Sequence, residues 1–223
     1  MNGAAFLPAG RGQLPHRARE FLCSALFRLT TAYQARRPFA RKTQPAFASG
    51  SRLSVSKLKM KTNIGLNDEA RLEVGQMLNL ILADESVLYA TTRDYHWNVT
   101  GGNFRSLHLQ FEEQYTQIAG WIDEVAERAR SIGCGARGNW ADLTKAARCS
   151  ADPGIGLPAE HMLSELLALH EEMIVQLRTD SEACGATFKD AGTADFLTGL
   201  MERHEKAAWM LRAQLETEEE EAG

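Results

Sequence analysis

The sequence predicts an all-α protein: a four-helix bundle with a short helix in the crossover between the second and third long helices. Apolar residues recur every three to four positions through four long segments of residues 67–215, and no strand-like alternation lies between them. Two short connections and one longer central crossover are typical of such a bundle. A hydrophobic content of 44% suits a packed core, and the chain has no apolar run of about eighteen residues that would favour a membrane span.

The first two long helices are expected to form a hairpin around the turn "NVTGG". Asn67 is a suitable N-cap for the first helix, because Asp68 and Glu69 follow in its first turn and interact favourably with the helix dipole. This helix is expected to run to about Trp97. The second is expected to begin near Asn103 and to stop at the glycines of "SIGCGARG".

The second half of the chain repeats this arrangement after a short connecting helix. The amphipathic segment "NWADLTKAAR" precedes the break "SADPGIGLP". Pro158 fits the first turn of the third long helix, where proline is favoured. That helix is expected to end at "GATFKDAGT", and the fourth to run from Thr193 to the acidic end of the chain. The bundle domain is therefore expected at residues 60–218, with an acidic tail at 219–223.

Residues 1–59 differ from the rest of the chain in charge. They carry eleven Lys and Arg residues against one acid, whereas residues 60–223 carry fourteen basic and twenty-eight acidic residues. The segment has no domain core and is expected to be a disordered or non-native extension. Three interpretations remain open: a translated upstream region whose true start is Met60, an Arg-rich transit peptide, or a basic arm that meets nucleic acid. We favour the first, because "MKTNIGLNDEA" reads as a clean start before the first helix.

The cysteines indicate neither a zinc site nor a disulfide framework. Cys23, Cys134, Cys149 and Cys184 are scattered, without a C-x-x-C pair or the Cys/His spacing of a zinc finger. Reduced thiols in a cytoplasmic protein are expected. An organellar location would follow instead if residues 1–59 were a transit peptide.

Five candidate metal ligands lie on the first two predicted helices. One is near the end of the first helix, just before the turn, and four are on the second. Two histidines and three carboxylates follow one another at intervals of 12, 4, 11 and 4 residues: His96, His108, Glu112, Asp123 and Glu127. At about 100° per residue the last four share one helix face, which is otherwise apolar. Each residue alone has an ordinary interpretation, as a hydrogen-bonded histidine or a solvated carboxylate. Together they favour a metal site, because an unpaired carboxylate beside an apolar stripe is unfavourable.

One chain cannot bring all five ligands to one metal ion. The hairpin allows His96 to face His108, and Glu112 lies one turn further on. Asp123 follows His108 by fifteen residues. That interval is about 22 Å along a helix, whereas metal bonds are about 2 Å long. A two-fold dimer with antiparallel second helices would join the histidine half of one chain to Asp123 and Glu127 of the other.

The ligand set and several sequence segments point to the same chemistry. Imidazole and carboxylate groups with room for water suit Fe(II) and, less selectively, Zn, Mn or Co, of which iron is the redox-active choice. The segments "YHWNVTGGNF", "LHLQFEEQY", "IDEVAER" and "HEKAAWMLRAQLE" resemble the Dps family, the DNA-binding proteins from starved cells, which are small ferritin-like shells. The resemblance covers roughly residues 60–218.

This resemblance implies a ferritin-like fold and an inter-subunit ferroxidase centre. In that family two histidines and an acid of one subunit meet an Asp and a Glu of its two-fold mate. The matching positions in this sequence are His96, His108, Glu112, Asp123 and Glu127. Glu112 stands where many members have Asp, a change of one methylene that affects ligand reach.

The resemblance also implies a function and an assembly. Fe(II) is expected to be oxidised at the shared site, preferably by hydrogen peroxide, and stored as Fe(III) mineral inside a hollow dodecamer. Consuming iron and peroxide together would protect DNA and the cell from oxidative damage. Asp190 and Asp195 match only loosely the acidic three-fold pores that lie near the start of the last helix in this family.

Of three rival interpretations, one is a purely structural bundle or a cage that binds metal without turnover, and the other two differ in the sequence features that they require. A ferritin with its di-iron site inside one bundle needs E-x-x-H motifs on two helices. None of His161, His170 and His204 has a glutamate three residues earlier. The other alternative is a non-specific DNA-binding, nucleoid-compacting protein that acts through the basic arm with little catalytic role. It requires that residues 1–59 be retained, because the rest of the chain is acidic.

Overall fold

Four long helices and one short helix make up the described part of the chain. The computed structural model describes residues 62–150 and 156–216. The helices are α1 (Asp68–Asn98), α2 (Phe104–Ser131), α3 (Trp140–Ala146), α4 (Ala159–Ala186) and α5 (Ala191–Leu215). The predicted all-α bundle with a short crossover helix is confirmed. The expectations for residues 1–59 and for the acidic tail fall outside the described residues.

The starts of α1 and α4 follow from local chemistry at the preceding residue. Oδ1 of Asn67 accepts a hydrogen bond from the backbone N–H of Ala70 at 2.8 Å, so the predicted N-cap is confirmed. Pro158 occupies the N-cap of α4 rather than its first turn, because its ψ of 147° is extended and the helix begins one residue later.

The last helix begins at Ala191, two residues before the predicted start at Thr193. Asp190 causes the difference: its carboxylate accepts a hydrogen bond from the backbone N–H of Thr193 at 3.0 Å and another from the Thr193 hydroxyl at 2.6 Å. Arg128 of α2 donates to the same carboxylate at 3.2 Å. Asp190 is therefore a buried capping residue in its own chain, and of the two loosely matched pore residues only Asp195 has an exposed side chain.

The bundle is built from two paired layers of helices. α1 packs along α2, α4 packs along α5, and α1 also meets α3 and α4. The largest fully buried side chains come from α1, from α2 and its C-cap residue, and from α4: Tyr95, Phe111, Leu78, Ile81, Leu88, Ile118, Ile132, Met162, Leu166, Leu169, Met173 and Leu177. The three cysteines of the described part are buried and free. Over the same residues, no helix combines the length and apolar character that a membrane span requires.

An ion network fixes the crossover segment to the bundle. Arg148, just after α3, donates from Nε to Asp84 of α1 at 2.7 Å and from Nη1 to Asp180 of α4 at 2.9 Å. The backbone N–H of Arg148 also donates to Asp84 at 2.6 Å. Burial raises the pKa of Asp180, and the neighbouring Arg148 opposes that rise. The crossover therefore contacts both α1 and α4 through one guanidinium group.

A polar chain of three side chains crosses the bundle core. Nε2 of His204 on α5 lies 2.7 Å from Oε1 of Glu85 on α1, and Nδ1 of His204 lies 2.9 Å from Nδ1 of His170 on α4. All three side chains are fully buried. Burial, together with the neighbouring His204, lowers the pKa of His170 well below its ordinary value. The core thus holds His170 in its neutral form.

This arrangement predicts that the bundle loses stability as pH falls below the ordinary histidine pKa of about 6.5. There the unfolded chain binds a proton at position 170 that the folded chain does not bind, so unfolding is favoured. The free energy of unfolding should fall by up to about 1.4 kcal/mol per pH unit from this group. Urea denaturation at a series of pH values measures the slope.

The matched variants are His170→Asn, which removes the buried imidazole, and His161→Asn, which removes an exposed one. His170→Asn should show a shallower loss of stability on acidification than the wild type, and His161→Asn should keep the wild-type slope. Equal slopes in the wild type and His170→Asn would show that the buried imidazole does not control this pH dependence.

Candidate metal centre

The two candidate histidines meet at the end of the α1–α2 hairpin. His96 lies in the last turn of α1 and is 8% exposed, and His108 lies in the second turn of α2 and is partly buried. Their rings are stacked, with centroids 3.8 Å apart and planes 22° from parallel. The expectation that the hairpin turns one histidine toward the other agrees with this geometry.

Reciprocal hydrogen bonds fix the orientation of both imidazole rings. Nδ1 of His96 lies 2.8 Å from the backbone carbonyl oxygen of His108, and Nδ1 of His108 lies 2.8 Å from the carbonyl oxygen of His96. A carbonyl oxygen only accepts, so each Nδ1 carries the proton and donates. In the neutral rings both Nε2 atoms then keep their lone pairs. A histidine whose Nδ1–H is held by a carbonyl is the usual form of a metal-binding histidine.

The turn between the helices depends on one glycine conformation. The backbone N–H of Val99 donates to the Tyr95 carbonyl at the end of α1, and that of Phe104 donates to the Gly101 carbonyl at the start of α2. Gly101 has a φ of 108°, a value that residues with a side chain rarely adopt. The reciprocal histidine bonds require this close reversal of the chain.

The three candidate carboxylates lie on the exposed surface of α2. Glu112 follows His108 by one turn, whereas Asp123 and Glu127 lie near the opposite end of the helix. Since α2 is continuous from Phe104 to Ser131, its rise of about 1.5 Å per residue keeps Asp123 roughly 22 Å from the level of His108. Within residues 62–150 and 156–216, no three His, Cys, Asp or Glu side chains are grouped to hold a metal ion.

Aromatic and apolar side chains surround the histidine pair. The Phe104 ring lies 5.1 Å from the His108 ring, and the Tyr115 ring meets the His96 ring edge-on at 5.2 Å. Trp97 is 62% exposed and Phe104 is 45% exposed. Large apolar side chains exposed beside a candidate site are typical of a surface that another molecule covers.

The sequence did not lead us to predict two tyrosines that lie beside the histidine pair. Tyr115 contacts the His96 ring, and Tyr89 contacts Tyr115 edge-on with centroids 6.0 Å apart. A signal was present in their spacing: Tyr89 precedes His96 by seven residues and Tyr115 follows His108 by seven. Seven residues are close to two helical turns, so both tyrosines lie two turns from the hairpin end, on the face of the histidines.

The all-α bundle is the fold of a ferritin-like protein. A family model for the ferritin-like domain matches residues 75–220, more than half of the chain. The chain belongs to the Dps family of ferritin-like proteins, as comparison with individual relatives shows.

The chain is similar to three proteins over most of their length. A low-temperature-induced protein of Nostoc sp. is 44% identical over 70% of this chain and 87% of its own length. DNA protection during starvation protein 2 of Bacillus anthracis is 36% identical over 63% of this chain and 95% of its own length. The crystal structure of a Dps protein from Vibrio cholerae O1, a member of a broad superfamily of ferritin-like diiron-carboxylate proteins, superimposes with a TM-score of 0.63. It is 30% identical and covers 70% of this chain and 98% of its own.

The conformation of the hairpin turn can be tested by adding a single methyl group at each of its adjacent glycines. Gly101→Ala should lower the free energy of unfolding by about 1–3 kcal/mol, because alanine is strained at this φ. Gly102→Ala is the matched control, because an added Cβ there meets nothing within 4 Å and φ is not positive. It should change stability by less than about 1 kcal/mol. Equal effects of the two substitutions in urea denaturation would contradict the described turn.

Proposed function

We propose that this protein is an iron-sequestering ferroxidase. It oxidises Fe(II), preferably with hydrogen peroxide, at a site shared between two subunits, and stores the Fe(III) as mineral inside a hollow oligomer, expected to be a dodecamer. Removing Fe(II) and peroxide together protects DNA and the cell from oxidative damage. Support comes from membership of the Dps family and from the names of its relatives, which include DNA protection proteins and a ferritin-like diiron-carboxylate protein.

The observation that carries the proposal is the reciprocal bonding of His96 and His108. Both Nδ1 atoms are used by backbone carbonyls, so two adjacent Nε2 atoms remain to bind Fe(II). Glu112 adds a carboxylate one turn away. Its side chain is exposed, as are those of Asp123 and Glu127, so all three are accessible to a second chain or to an ion.

A second copy of the chain completes the ligand set in this proposal. If two α2 helices pack antiparallel about a two-fold axis, Asp123 and Glu127 of the second copy approach His96 and His108 of the first. The same contact forms twice, so each dimer has two sites. The exposed side chains of Trp97, at 62%, and Leu109, at 51%, supply apolar surface next to the histidines that such a contact would bury.

The reaction uses two electrons at once, one from each of two Fe(II) ions. Two Fe(II) become two Fe(III), and one hydrogen peroxide takes up two electrons and two protons, breaks its O–O bond and leaves as two water molecules. The imidazoles bind Fe(II) as neutral ligands, and the carboxylates stabilise the additional charge of Fe(III), since hard anionic oxygens suit the higher charge. Delivering both electrons together avoids a free hydroxyl radical.

Mixed assemblies test whether the site is shared between subunits. Anaerobic protein receives Fe(II) and then substoichiometric peroxide, and ferric absorbance is followed in the wild type, His108→Ala and Asp123→Ala. Each variant alone should lose fast oxidation, because each removes one half of every site. Assemblies refolded from a mixture of the two should recover part of the rate, since a mixed dimer contains one site with both halves intact.

Two outcomes would count against this proposal in different ways. Equal oxidation rates in the wild type and both variants would remove the ferroxidase assignment. Loss of oxidation in both variants without recovery in the mixture would contradict the shared site but not the ferroxidase activity. A variant on the opposite side of α2, Gln117→Ala, serves as the control and should oxidise Fe(II) at the wild-type rate.

Non-specific DNA binding through residues 1–59 is the second candidate function. The charge of this segment favours it, with eleven basic residues against one acid, whereas the remainder of the chain is acidic. Twelve such arms on one shell would bind DNA in a salt-dependent manner. The mass of the N-terminus of the natively produced protein decides whether the arm is present, and a start at Met60 leaves DNA binding weak or absent.

A further inference from the structure

A groove lies between α2 and α5. These two helices pack less closely than α1 with α2 or α4 with α5, and the groove between them has a volume of about 390 Å³. This volume is within the range of small-molecule sites, about 300–1,000 Å³. The groove is called the α2–α5 groove below. Its α2 side includes Gln110, Gln114 and Trp121, and its α5 side includes Arg203, Lys206 and Met210.

One end of the α2–α5 groove holds two glutamine amides without partners. Oε1 of Gln114 and Nε2 of Gln110 are buried, and neither atom has a hydrogen-bond partner in the described part of the chain. The two residues are four positions apart on α2, so they are neighbours on one face of the helix. This end of the groove therefore offers an unpaired acceptor beside an unpaired donor.

Packing of the core does not account for an amide at position 114. Gln114 is 7% exposed and belongs to the buried stripe of α2, three residues after Phe111 and four residues before Ile118. A leucine at this position would be buried favourably. An amide oxygen without a partner instead loses the hydrogen bonds that it makes with water in the unfolded chain. This unfavourable burial points to a ligand whose donor group reaches Gln114.

The other end of the α2–α5 groove is cationic. Arg203 and Lys206 are three positions apart on α5, and no carboxylate of the described chain forms an ion pair with Lys206. Nη1 of Arg203 donates to Glu124 of α2 at 2.5 Å, which leaves other N–H groups of the guanidinium for a ligand. Glu113 also lines the groove, but it lies at the amide end and accepts from Gln117 at 3.1 Å. It therefore does not neutralise the cations.

The two ends are too far apart for one small ion. The Trp121 ring meets the His204 ring with centroids 4.9 Å apart, so Trp121 on α2 lies level with His204 and its neighbour Arg203 on α5. Gln114 precedes Trp121 by seven residues, which is about 10 Å along a helix. A metal ion or a phosphate ion contacts only one end. A ligand that uses both ends needs an anionic group and, roughly 10 Å away, a donor next to an acceptor.

We propose that the α2–α5 groove binds a free nucleoside monophosphate. The phosphate accepts hydrogen bonds from Lys206 and Arg203. The edge of the base donates to Oε1 of Gln114 and accepts from Nε2 of Gln110. Adenine presents such a pair of groups, because its N6 amino group lies beside a ring nitrogen, and glutamine is a suitable partner for both.

The rest of the groove agrees with a ligand of this length. Trp121 and Met210 supply apolar surface between the two ends for the sugar and the base. The ion pair between Glu124 and Arg203 joins α2 to α5 and closes the groove beyond the phosphate. A single nucleotide therefore fits, whereas a longer nucleic acid chain does not. This binding goes beyond the proposed oxidation of iron and does not depend on it.

Equilibrium dialysis of iron-free protein against radiolabelled adenosine monophosphate (AMP), in a buffer without phosphate, tests this proposal. AMP should bind at one molecule per chain. In competition, inorganic phosphate and adenosine should each bind at least about tenfold more weakly than AMP, because each of them reaches only one end of the groove. Absence of AMP binding, or competition by phosphate alone that equals competition by AMP, would overturn the proposal.

Two variants test the two ends separately. Lys206→Met and Gln114→Leu should each weaken AMP binding by about tenfold, since each removes one polar partner. Gln114→Leu should leave the weak binding of phosphate unchanged. Lys145→Met is the matched control, because Lys145 is an exposed lysine on α3, and it should bind AMP as the wild type does.

Equal affinity for AMP in the wild type and both groove variants would overturn the proposal, because the nucleotide would then bind elsewhere. Lys206 is exposed, so Lys206→Met keeps the proposal testable if Gln114→Leu does not fold. An equal loss of affinity in Lys206→Met and Lys145→Met would also overturn it, since only the net charge of the protein would then matter.

Discussion

The unbroken length of α2 is the constraint on which the proposed chemistry depends. The helix runs from Phe104 to Ser131 and carries His108 and Glu112 near its start and Asp123 and Glu127 near its end. A rigid helix does not fold these two groups together, so one chain cannot bring all the proposed ligands to one metal ion. A second copy of the chain is the simplest way to join them. On this account, oligomerisation is required for the activity and is not merely a means of building a shell.

The histidines of the hairpin and those of the core are used in different ways. The Nδ1 atoms of His96 and His108 donate to backbone carbonyl oxygens, which leaves the Nε2 atoms for a ligand. In the core, His204 has one ring nitrogen against Glu85 and the other against His170. The core chain is fully buried, and burial lowers the pKa of His170 and favours its neutral form. The hairpin pair keeps lone pairs at a partly exposed surface, and it is the pair that suits metal chemistry.

Periodicity and capping residues were enough to predict the helices, because these signals are local. Asn67 is the N-cap that its side chain and the following acids suggest, and the turn "NVTGG" brings His96 and His108 face to face. The predicted start of α5 at Thr193 is two residues too late, since the carboxylate of Asp190 caps the helix by accepting from the Thr193 N–H, and it also bonds Arg128 of another helix. The contact between Asp190 and Arg128 cannot be inferred from adjacent sequence, because the two residues lie far apart in the chain.

The details of the site depended on the tertiary fold. The reciprocal bonds of the histidine pair use backbone carbonyls, whose positions follow from the exact closure of the hairpin and not from residue types. The Glu85, His204 and His170 chain joins three helices, and none of the three residues shows its partner in sequence. The tyrosines beside the pair had a visible signal in their equal spacing from the histidines, but spacing alone does not show that Arg93 lies between them.

The most direct test of the shared site is a crystal structure of the assembled protein soaked anaerobically with Fe(II), with anomalous diffraction collected at the iron edge. The account predicts iron between His96 and His108 of one chain and Asp123 and Glu127 of its two-fold mate, at bonding distances of about 2 Å. Iron held by residues of a single chain, or iron only on the inner surface with the histidine pair free of metal, would contradict it.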